Sequence, residues 1–137
     1  MNDVGHSKYQ EFTWAILRIV TGLAFMTHGL PKLFGWLGGF GGAGEAAELM
    51  SRFGVAGVLE TFGGLLIVLG LLTRPVAFLL AGQMAVAYFW IHAGFVDLWW
   101  WVNGGEKAML FSFIFLFFSA WGAGPFSLDA RLAAKRE

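Results

Sequence analysis

From Val55 to Leu72 the chain is almost free of polar side chains, yet one carboxylate, Glu60, lies inside the run. A bilayer-crossing helix needs about 20 apolar residues, and this stretch is just long enough. An acid placed there costs roughly 2.5–3.5 kcal/mol on insertion scales, so the fold must give Glu60 a partner. Three further apolar stretches, at about 12–35, 75–94 and 106–122, have similar length. Charged residues make up 13% and hydrophobic ones 58%, against about 25% charged in a soluble domain, so water is the wrong solvent for most of this surface. The expected fold is all-α: an integral membrane antiparallel four-helix bundle, one domain over residues 1–137.

Several function classes drop out early. The net charge is zero and the nine Lys and Arg residues form no patch, so nucleic acid is not an expected partner. Cysteine is absent, which removes disulfides, thiolate chemistry and cysteine-ligated iron–sulfur clusters from this chain. The first apolar stretch contains Arg18 and lacks a small-residue cleavage site, so it reads as a retained span and not as a signal peptide. Pro31 is expected to kink that span or to begin a separate turn. The Gly-rich connector at 35–44 has no strand before it and no Walker lysine after it, so a flexible or re-entrant connector fits better than a nucleotide loop. Residues 45–53 suit a short interfacial helix between spans one and two. Arg74-Pro75 makes a tight turn into span three, because proline is tolerated in a helix's first turn.

Four spans put both termini on one side. Lys8, Arg74, Arg131, Lys135 and Arg136 share that side, and Lys32, Arg52 and Lys107 face the other. Five against three favours cytoplasmic termini by the positive-inside rule. Trp14 and Trp121 mark one interface, and Trp36, Trp90 and Trp99 to Trp101 mark the other, as an aromatic belt would.

Polar residues within the spans sort by depth at about 1.5 Å per residue. Glu60 and His28 lie roughly 8 and 10 Å in from the outer side, and Arg18 roughly 9 Å in from the inner side. Glu60 is therefore expected to meet His28, with Lys32, His92, Asn103 and Glu106 above them. A second, inner cluster would join Arg18 to Gln83, to Ser119 or free carbonyls near Gly122, and to Asp129, with Arg74 beside it. That cluster is expected to lock the bundle. The outer residues His28, Lys32, Glu60, His92 and Glu106 are the ligand candidates: a quinone head needs hydrogen-bond partners and a proton-exchanging acid or imidazole at the membrane edge. The bland alternative is that Glu60 and His28 satisfy each other and fix helix register. Haem held by His28 and His92 is chemically reasonable, but their depths differ by more than two helical turns, and no metal site is expected.

Arg18 with Gly22, His28-Gly29-x-x-Lys32, Glu60-x-x-Gly63-Gly64, and Gly70-x-x-Thr73-Arg74 together resemble the DoxX family. So do Gly105-Glu106 and Gly122-x-Gly124-x-x-Ser127-Leu128-Asp129. The resemblance implies a small four-span protein of the bacterial inner membrane, related to the DoxD membrane subunit of thiosulfate:quinone oxidoreductase. It implies an accessory subunit of a quinone-linked or other electron-transfer complex, with membrane lipids and partner proteins, or a second copy of itself, as its contacts. A purely structural subunit and a small proton or solute transporter are the competing expectations. No complete catalytic constellation is present in this chain.

Overall fold

The computed structural model describes residues 6–42, 44–94 and 97–136. Helix α1, Lys8–Phe34, begins at a capping box in which Ser7 and Gln10 exchange side-chain to backbone hydrogen bonds. It runs unbroken through Pro31 and ends at Gly35 in the left-handed region. The proline sits in the last turn, where the chain was about to leave the helix anyway, so no separate turn follows it.

The expected interfacial helix at 45–53 does not form. A short 3₁₀ turn, Phe40–Gly42, is followed by bends, and the chain enters its next helix at Ser51, whose hydroxyl accepts from the Gly54 amide. This loop is tied to α1 instead, with the Ala47 amide donating to the Lys32 carbonyl. It crosses Gly54 so closely that a Cβ there would collide with the carbonyls of Glu48 and Leu49. Tethering to α1, rather than an amphipathic helix, therefore organises the connector.

Helix α2, Arg52–Val58, continues through a wider π-helical turn, Leu59–Gly63, into α3, Gly64–Leu69. Gly70 stops α3 at φ 65°, and Leu72 is also left-handed, at φ 51°. Helix α4, Thr73–Ala87, is extended by a second π-helical turn, Tyr88–Ala93. After the short α5, Trp100–Asn103, come α6, Glu106–Trp121, and the tail helix α7, Leu128–Ala134.

Side-chain neighbours fix the directions. Gly22 lies against Gly64 and Gly29 against Thr61, so α1 and the α2–α3 rod run oppositely. Gly63 meets Leu80, Ser112 donates to the Ala81 carbonyl, and Phe25 packs on Phe111 and Phe115. Each successive long helix therefore reverses. The core between them contains Phe25, Ile67, Leu80, Phe115 and Phe118, all essentially without solvent exposure.

Among the described residues all regular structure is helical. Two helices, Arg52–Leu69 and Thr73–Ala93, are long and apolar enough to cross a membrane. Helix α1 is long but carries Lys8, Glu11, Arg18 and Lys32, and α6 has 16 residues, about 24 Å of helix. Large apolar side chains face outward on all sides, including Val20, Phe78, Leu79 and Phe113.

Candidate functional site

Close approach of α1 to the π-helical turn builds the site. A Cβ at Gly29 would lie 2.5 Å from the Thr61 hydroxyl, so only glycine lets the two backbones come this near. Glu60 then sits directly opposite α1 and is 3% exposed. Its two carboxylate oxygens accept from the Lys32 ammonium at 2.7 and 2.6 Å. The Gln83 amide donates to the same carboxylate at 3.3 Å. Among the described residues Lys32–Glu60 is the one ion pair.

The partner anticipated for Glu60 was His28; the structure places Lys32 there. Helical side chains lean toward the N-terminus, so Lys32 reaches back about one turn to the level of Gly29. His28, one turn earlier, makes no hydrogen bond to Glu60 among the described residues and meets Phe111 edge-on, with ring centres 5.9 Å apart. Gln83 does not join the Arg18 cluster as expected: it lies ten positions into α4, which in an antiparallel pair sets it across from Glu60.

These residues form one wall of a cavity of about 470 Å³ between α1, the α2 rod, α4 and α6. His28 and His92 both line it, together with Phe25, Met84, Trp90, Ile91 and Phe111. Each π-helical turn borders it: one carries Glu60, the other Trp90, Ile91 and His92. A π turn inserts one residue and rotates the following side chains, and such turns recur at functional sites. Glu106 is exposed and outside the cavity; its neighbour Lys107 lines the wall instead, as does Arg52. Asn103 is engaged elsewhere, bonding the Asp97 carbonyl and the Tyr88 hydroxyl.

Two hydrogen-bonding positions are left over beside the Glu60 carboxylate. An ammonium has three donors, and Glu60 takes two from Lys32. Gln83 turns its amide nitrogen to the carboxylate, which leaves its buried Oε1 without a partner among the described residues.

At the other end of the bundle, Arg18 is 1% exposed and bonds only carbonyls. It donates to Ile67, Val68, Ala123 and Phe126. The Asp129 carboxylate caps the start of α4, accepting from the amides of Leu72 and Thr73 at 2.8 and 2.9 Å. Gly70 joins the two, since its carbonyl accepts from the Asp129 amide and its Cα lies against the Arg18 guanidinium. Ser119 bonds within its own helix, and exposed Arg74 lies beside Gly122.

The DoxX family model matches residues 13–93 of the 137, the part that holds α1, the α2–α3 rod and α4 with both π turns. The chain belongs to the DoxX family. A protein of Haemophilus influenzae Rd described only as uncharacterized is 42% identical, covering 98% of this chain and 100% of its own length. The inner membrane protein YqjF of Escherichia coli K12 is 28% identical, covering 93% and 98%. No solved structure gives a significant match. Glu106 and Asp129 lie beyond the matched family region, although the match to the Haemophilus influenzae protein extends across both.

Proposed function

We propose that this DoxX member is a four-span inner-membrane protein with cytoplasmic termini, acting as an accessory subunit of a quinone-linked electron-transfer complex. The membrane reading draws on the two long apolar helices, the outward-facing apolar side chains and the likeness to an inner membrane protein. The observation that carries the quinone reading is the cavity floor: a carboxylate held by Lys32 and Gln83 beneath apolar walls, with one ammonium hydrogen left over.

A quinone carbonyl accepts from the Lys32 ammonium or from His28. Reduction of the quinone takes up two electrons and two protons. The electrons come from a partner subunit, and Lys32, Glu60 and His28 are groups able to pass protons to the head. Quinone extracted with the protein and lost in Glu60→Gln, together with co-purification of a larger complex, is the expected result. Protein that arrives alone, quinone-free and without effect on any membrane oxidase or reductase ends this reading.

A second reading is favoured by the outward ring of large side chains, Phe78 and Phe113 among them. In it the chain is a structural subunit that seals a larger membrane complex, and Glu60→Gln leaves electron transfer in that complex unchanged.

A further inference from the structure

The same cavity has a mouth that the quinone reading does not use. Arg52 and Lys107 both line it, and with Lys32 they make three cations against a single carboxylate, Glu60. Lys32 is already paired with that carboxylate; Arg52 lies over the face of Phe53, and neither it nor Lys107 has an ion pair among the described residues. Glu48 and Glu106, the acids nearest to them in sequence, do not line the cavity. Among the described residues that line it, the mouth therefore carries more positive than negative charge. It is also bordered by Trp90, and its α4 side continues outward along the exposed apolar residues Val86, Trp90 and Ile91. A tryptophan at this level marks the headgroup layer, and basic pockets between membrane helices bind acidic headgroups.

We propose that the mouth binds the acidic headgroup of a phospholipid between Arg52 and Lys107, with an acyl chain lying along Val86, Trp90 and Ile91. The inference rests on membrane placement and not on quinone binding. The test is purification of the full chain from membranes, exposure to equal amounts of phosphatidylglycerol and phosphatidylethanolamine, and native mass spectrometry of the lipid retained. The expected result is retention of phosphatidylglycerol over phosphatidylethanolamine. Arg52→Gln with Lys107→Gln lowers that preference about thirtyfold, at about 1 kcal/mol for the attraction of each cation to an anionic surface. The charge-keeping Arg52→Lys with Lys107→Arg preserves it, and Lys8→Gln with Lys135→Gln leaves it unchanged. If the double neutral variant fails to fold, the single changes Arg52→Gln and Lys107→Gln must each give a partial loss. No lipid preference in the unaltered protein, or a preference that these changes leave intact, overturns the proposal. Displacement of the lipid by inorganic phosphate also overturns it, because the ligand is then a free anion. Bound quinone measured in the same samples separates the two readings: Glu60→Gln removes the quinone and spares the lipid preference.

Discussion

At the residue scale, Lys32 and Glu60 each make the other tolerable. A buried carboxylate without its ammonium, or the reverse, leaves an uncompensated charge, which typically costs about 3–5 kcal/mol. Glu60→Ala and Lys32→Met are each expected to lower the unfolding midpoint in a fixed detergent strongly. The pair Lys32→Met with Glu60→Leu is expected to recover most of that loss, since an apolar pair of similar volume is often neutral. The double variant also separates structure from function: a stable protein that no longer holds quinone places the pair in the site. A double variant as unstable as the singles would mean that Gln83 and the backbone, and not the ion pair, set the cost. The need for a partner was legible in the sequence from one acid in an apolar run. Its identity was not, because depths were compared at Cα atoms while Lys32 works at the end of a side chain that leans back by a turn.

At the element scale, the contact between α1 and the π-helical turn is set by Gly29. Gly29→Ala brings a Cβ to 2.5 Å from Thr61 and must push the helices apart. Its expected effect is a loss of folded protein in a detergent melt. Gly82 is the control, since a Cβ there meets nothing within 4 Å. Gly82→Ala is expected to hold or raise the midpoint, by about 0.5–1 kcal/mol of helix preference. Equal losses at both positions would refute the close-contact account. Asp129→Ala removes the cap from α4 and is expected to cost about 1–2 kcal/mol, as loss of an N-cap does. Four long helices and their ends were legible to within about four residues, from apolar run length and the Gly and Pro stops. The π turns were not, because inserting one residue leaves composition untouched. Nor was the choice of Lys107 over Glu106: α6 is apolar all round, so nothing in its pattern says which side faces the cavity.

At the scale of the whole molecule, reversal of each successive helix puts α7 and the start of α1 at one end and the tryptophans of α5 at the other. Absence of cysteine makes this directly measurable, since single cysteines can be placed on a silent background. Tyr9→Cys and Leu132→Cys are exposed positions expected to react with a membrane-impermeant thiol reagent only from the cytoplasmic side. Trp36→Cys and Trp101→Cys, also exposed, are expected to react only from the opposite side. Labelling of any pair on mismatched sides would mean that one helix does not span, with the 16-residue α6 the first suspect. The proposed orientation rests on a narrow balance of five cations against three. Removing three of the five with Arg131→Gln, Lys135→Gln and Arg136→Gln leaves two against three. Loop charge sets orientation even from the C-terminal end, so part of this population is expected to invert and show Tyr9→Cys labelled from both sides. Complete retention of one orientation would mean that the first span, with Lys8 before it, decides topology alone.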